Sequence, residues 1–72
     1  MPASPRYKLF QKALLDARLG KGLTQSEVAA RLRKPQSYVS KYESGERRLD
    51  VIEFLEVCEV MSINPDSVLK KT

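Results

Sequence analysis

The sequence predicts an all-α fold, a compact bundle of about five short helices. Three observations carry this. No segment alternates apolar and polar residues with the period of two that strands require, helix-start signals recur along the chain, and Gly or Pro separates stretches whose apolar residues fall at helical spacing. Seventy-two residues, 42% of them hydrophobic, make a single domain over 1–72 with a small core and too little interior for a large enclosed active site.

The first helix is expected to begin with Ser4 as its cap and Pro5 at its first position, carrying Phe10, Ala13, Leu14 and Ala17 on one face. Gly20 or Gly22 ends it, and residues 1–4 read as a flexible N-terminal arm. Thr24-Gln25-Ser26-Glu27 is a capping box, with Leu23 and Val28 placed as a hydrophobic staple. Behind it Val28, Ala29 and Leu32 form a short apolar stripe, and Arg33-Lys34-Pro35 stops the second helix. Pro35 suits the first turn of a third helix over 35–44, with Val39 and Tyr42 inward and Gly45 as the left-handed residue at its end.

A second capping box, Asp50-Val51-Ile52-Glu53, starts a fourth helix that runs to about Met61, with Leu49 and Phe54 as its staple. Its inward residues are expected to be Val51, Phe54, Leu55, Cys58 and Met61, leaving Glu53, Glu56 and Glu59 as a solvated ridge. Asn64-Pro65 begins a last short turn of helix that sets Val68 and Leu69 against the rest.

The charge is polarised. Residues 1–48 hold eleven Lys and Arg against four Asp and Glu, a net +7, and residues 49–72 hold two against five, a net −3. A basic half of this kind suits a partner with a dense negative lattice, nucleic acid or an anionic membrane. The basic residues lie around polar helix faces and not opposite a broad exposed apolar face, and no apolar run reaches the roughly 18 residues of a membrane span, so a membrane partner is not expected. Cys58 has no second Cys to pair with and reads as a core thiol, and Met1 to Tyr7 does not resemble a signal peptide; a cytoplasmic location is expected. There is no histidine, no metal-ligand spacing and no phosphate-cradling glycine loop, so neither enzymatic activity nor a cofactor, metal or small-molecule ligand is expected.

Two short helices joined by about three residues, in the most basic stretch of the chain, form a helix-turn-helix over 25–44. That motif needs a second helix slim enough for a major groove, braced by a first helix that crosses the DNA backbone. The outward residues of the second helix are Gln36, Ser37, Ser40, Lys41 and Ser44, all hydrogen-bonding and none bulky and apolar.

The LTQ of residues 23–25 with Arg18 before it, EVAARL of 27–32 and PQSYVSKYESGERR of 35–48 resemble the phage lambda repressor and Cro type of helix-turn-helix, the Xre family. The resemblance implies that Gln36, Ser37 and Lys41, with Ser40 beside them, meet base edges. Glutamine suits the N6 and N7 of adenine, lysine the O6 and N7 of guanine, and serine either base. It assigns Gln25 to a phosphate and to buttressing Gln36. Thr24, Ser44, Arg47 and Arg48 become backbone contacts, with Arg6 or Lys8 adding to them, and Tyr38 either covers the third helix or donates to a phosphate. Arg18 and Glu43 match a structural ion pair. Many members have glycine where this chain has Arg33, so either the turn is distorted or it carries a strain of about 1–2 kcal/mol.

The partner implied is double-stranded DNA with a two-fold symmetric operator, bound by a homodimer acting as a repressor-like or controller-like regulator. The resemblance places the dimer contact around the fourth and fifth helices, at Met61, Ile63, Val68 and Leu69. The alternative is an antitoxin-like protein-interaction module on the same fold, separated from the first reading by whether the chain binds DNA by itself.

Overall fold

A computed structural model describes residues 4–72, which form five α-helices and no strand. These are α1 (Pro5–Gly20), α2 (Gln25–Leu32), α3 (Gln36–Ser44), α4 (Val51–Met61) and α5 (Pro65–Leu69). Residues 1–3 of the expected arm lie outside the described residues; Ser4, its last residue, is the cap of α1 and accepts a hydrogen bond from the Tyr7 N–H at 3.1 Å.

Both capping boxes form. Thr24 Oγ1 accepts from the Glu27 N–H while Glu27 Oε1 accepts from the Thr24 N–H, each at 3.0 Å. Asp50 and Glu53 do the same at 2.7 and 3.0 Å, and Asn64 caps α5 by accepting from the Asp66 N–H at 2.9 Å. The third helix differs from expectation by one residue. Pro35 stays extended outside it as the flanking residue, and because a pyrrolidine ring offers no acceptor, no side chain caps α3.

The Thr24 backbone N–H, and then its hydroxyl, hold the Glu27 carboxyl below its ordinary value of 4.5. A depressed carboxyl pKa contributes stability that is complete above the unfolded value and lost as pH falls through the folded one. Melting temperature should therefore decline below about pH 4.5. Glu27→Gln, which still fits a capping box, should flatten that acid limb; an unchanged limb would show that other carboxylates set it.

The core takes Ala13 and Leu14 from α1, Val28 and Ala29 from α2, Val39 and Tyr42 from α3, Phe54, Val57, Cys58 and Met61 from α4, and Val68 from α5. On α4 the buried stripe is rotated from the expected one. Val51 and Leu55 are 71% and 39% exposed, while Val57, which the sequence reading left off the inward face, is wholly buried. The helix carries apolar residues on every side except at its glutamates, so several stripes satisfy a 3.6-residue period, and contact with the other helices selects one. Burial pushes the Cys58 thiol up to about 11, which keeps it an inert core group.

Of the residues expected at a dimer contact, Met61 and Val68 are closed into the core of the single chain. In the single chain they leave almost no surface for a second copy. Ile63 is half-buried, Leu69 is exposed, and the further exposed apolar residues of this region are Val51, Ile52 and Leu55.

Candidate nucleic-acid interface

α2 and α3 are joined by Arg33, Lys34 and Pro35, and Arg33 supplies the sharp reversal at φ 58°, ψ 41°. The turn is regular, not distorted: the Lys34 N–H donates to the Ala29 carbonyl at 2.9 Å, closing the end of α2. Arg33 therefore occupies the left-handed conformation itself, at a cost of about 1–2 kcal/mol relative to glycine. At the other end of α3, Gly45 has φ 87°, a conformation that demands glycine; a Cβ there would meet only the end of the Gln11 side chain, Nε2 at 2.7 Å, which can shift.

Val39 and Tyr42 turn α3's inner face into the core, where they are 0% and 2% exposed. The remaining face presents Gln36, Ser37, Ser40, Lys41 and Ser44, all exposed. It is uniformly hydrogen-bonding, and α2 braces it from behind through buried Val28 and Ala29. Burial pushes the Tyr42 phenol far above its ordinary range, so it stays neutral; its oxygen has no hydrogen-bond partner among the described residues.

A chain of polar contacts runs under this face. Arg18 Nε donates to Glu43 Oε2 at 2.7 Å and Arg18 Nη2 to Glu43 Oε1 at 3.0 Å, a bidentate pair with side chains only 10% and 7% exposed. Arg18 Nη1 also donates to the Leu23 carbonyl at 2.8 Å, tying α1 to the entry of α2. The Glu43 hydrogen bond raises the Arg18 pKa further, against the opposing effect of burial. From Glu43 the chain continues outward: Gln25 Nε2 donates to Glu43 Oε1 at 2.8 Å, and Gln36 Nε2 donates to Gln25 Oε1 at 3.3 Å. The structure thus brings together the ion pair, the buttress and the first residue of α3, all of which the sequence singled out.

The residues expected at the DNA backbone are arranged less simply. Arg47 is exposed, but its guanidinium pairs with Glu53 and lies 5.0 Å from the centroid of the Tyr38 ring. Lys34 Nζ approaches the same ring at 5.5 Å, and Arg48 stacks on Tyr7 at 4.0 Å. Tyr38 is half-buried, with its ring edge-on to Tyr42. Thr24 spends its hydroxyl on the capping box, while Ser44 Oγ donates to the Lys41 carbonyl at 3.1 Å and accepts from the Glu46 N–H at 3.3 Å. Arg6 shares a cleft with Tyr7 and Arg48, its Nε donating to the Thr72 carbonyl at 3.1 Å; Lys8 is exposed.

Three participants escaped the sequence reading. Tyr7 accepts from the Leu49 N–H at 3.3 Å and carries Arg48, Gln11 donates to the Glu43 carbonyl at 3.5 Å, and Glu53 holds Arg47 while capping α4. Only Glu53 had a local signal, and that signal described the cap. The other two are visible only once α1 lies against the end of α3.

The family model described as helix-turn-helix matches residues 14–68. Among solved structures, the chain is similar to an XRE-family like protein from Pseudomonas syringae pv. tomato, with 52% identity, a TM-score of 0.86, and coverage of 92% of this chain and 80% of that one. It is also similar to the clp gene regulator ClgR from C. glutamicum, with 25% identity, a TM-score of 0.85, and coverage of 96% and 90%. The restriction-modification controller protein C.AhdI from Aeromonas hydrophila gives 27% identity, a TM-score of 0.77, and coverage of 86% and 94%. No curated protein matches significantly.

Proposed function

Because the chain belongs to the Xre-type helix-turn-helix family, we propose that it is a DNA-binding transcriptional regulator that lays α3 in the major groove. The observation that carries this is the exposed face of Gln36, Ser37, Ser40 and Lys41, entirely hydrogen-bonding and held rigid by α2 and the Arg18–Glu43 pair. Gln36, Ser37, Ser40 and Lys41 meet base edges. Gln25, Thr24, Tyr38, Ser44, Arg47 and Arg48 lie toward the sugar-phosphate backbone and fix the register. The similarity to a clp gene regulator and to a restriction-modification controller supports a regulatory role in the compartment that holds the genome, with no catalytic step.

The protein acts as a homodimer on a two-fold site, since one module of this size covers too little DNA for tight recognition. Exposed Ile52 and Leu55, with half-buried Ile63, line one groove and, with exposed Val51 next to Ile52 in the chain, supply an apolar surface for the second copy. The same surface would serve a protein-interaction module, and affinity for DNA alone separates the two readings. Selection of bound sites from a random duplex pool should return a two-fold symmetric sequence with half-sites about 34 Å apart; recovery of no preferred duplex would end the reading.

Within that site, Gln36→Ala should cost about 1–3 kcal/mol and relax preference at one base pair, while Arg48→Ala should weaken all duplexes alike and reduce the salt slope by about 1. Equal weakening of every sequence by both changes would remove Gln36 from the base-reading set.

A further inference from the structure

We propose that Glu43 is a specificity-positioning residue: anchored by Arg18, its carboxylate sets the direction of the Gln25–Gln36 amide pair and thereby which base Gln36 prefers. This rests on the reading of Gln36 as a base contact.

A glutamine amide is nearly symmetric in shape, with an acceptor oxygen at one tip and a two-proton donor at the other, so two amides in contact have no intrinsic direction. Something outside the pair must choose it. Glu43 does so because an ionised carboxylate only accepts. Both its oxygens are already engaged by Arg18, at 2.7 and 3.0 Å, so it cannot swing away. Gln25 must therefore turn its Nε2 toward Glu43, where it stands at 2.8 Å, and the opposite rotamer would press its lone pairs against a carboxylate only 7% exposed.

With its nitrogen committed, Gln25 offers only its carbonyl oxygen to Gln36, and Gln36 answers with Nε2 at 3.3 Å. One Gln36 proton is thereby used, leaving its carbonyl oxygen and its second N–H for the groove. Adenine is the base whose major-groove edge sets a donor, N6, beside an acceptor, N7. In the reverse orientation Gln25 would donate to the Gln36 oxygen, and Gln36 would face the groove chiefly with two protons, which suits the two acceptors of guanine. A buried carboxylate thus decides between purines that it never touches.

Binding should be measured on four duplexes that differ only at the base pair facing Gln36, with Glu43→Gln and with the paired replacement Arg18→Met/Glu43→Met, which keeps the site filled if the single variant folds poorly. A neutral or absent anchor no longer forces the direction, so the adenine-over-guanine ratio should fall by about tenfold while affinity for an unrelated duplex stays within about twofold. In a Gln25→Ala background the same changes at position 43 should leave the ratio untouched. In the free protein, the Gln25 and Gln36 side-chain amides should each show one shifted proton, and Glu43→Gln should release both together.

Equal weakening on all four duplexes, or a ratio change that persists without Gln25, would overturn the proposal. Amides that respond independently would show that the relay itself is absent. Amides that respond together with an unchanged base ranking would show that the relay exists but does not select the base. A Gln36→Ala variant with an unchanged ranking would place the fault in the base-reading assignment.

Discussion

Replacing Glu43 by alanine is expected to cost about 3–5 kcal/mol of folding stability, because it leaves a buried guanidinium without its counter-charge. Arg18 is 8% exposed and keeps only the Leu23 carbonyl at 2.8 Å, which satisfies one of its donors and none of its charge. A domain of this length has roughly 4–11 kcal/mol in total, so the variant should lose a large share of its stability and unfold at a much lower denaturant concentration. Chemical denaturation followed by circular dichroism measures this. The paired change Arg18→Met/Glu43→Met should recover most of the loss, since a buried pair and well-packed apolar side chains of similar volume are often close in stability. A loss below about 1 kcal/mol in Glu43→Ala would mean the pair is solvated as a surface bridge is.

Phe54→Ala is expected to cost about 3–5 kcal/mol, whereas its neighbour Leu55→Ala should stay within about 0.5 kcal/mol in the single chain. Phe54 is 6% exposed and meets Phe10 edge-on at 5.1 Å; Phe10 in turn meets Tyr7 at 5.4 Å, so the ring fastens α4 to α1. Truncation opens a cavity that the short helices around it close only in part. Leu55 is 39% exposed and leaves no cavity. Denaturant midpoints at a protein concentration low enough to keep the chain monomeric compare the two. Similar losses at both positions would show that the stripe on α4 is set differently from the buried set of Phe54, Val57, Cys58 and Met61.

The legible parts of the sequence were those whose physics is local. A cap needs one acceptor two or three residues from one donor, so Ser4, Thr24, Asp50 and Asn64 announced their helix starts, and all four side chains accept as caps. The left-handed Gly45 and the inward Val39 and Tyr42 were readable for the same reason, because they follow from the period of a single helix. The hydrogen-bonding face of α3 followed by subtraction. Pro35 misled by one residue, since its fixed φ serves the flanking position as well as the first turn.

The sequence by itself determined five helices, their starts, the helix-turn-helix and the polar character of its outer face, because each depends on residues no more than about four apart along a helix. The tertiary structure alone decided which stripe of α4 is buried, that Met61 and Val68 belong to the core, that Tyr7 and Glu53 hold the loop arginines, and that Gln25, Gln36 and Glu43 meet in one directed chain. Those outcomes depend on distances between residues 6 to 42 positions apart in sequence that lie on different helices or the loops joining them, and such distances are fixed by packing the whole bundle at once.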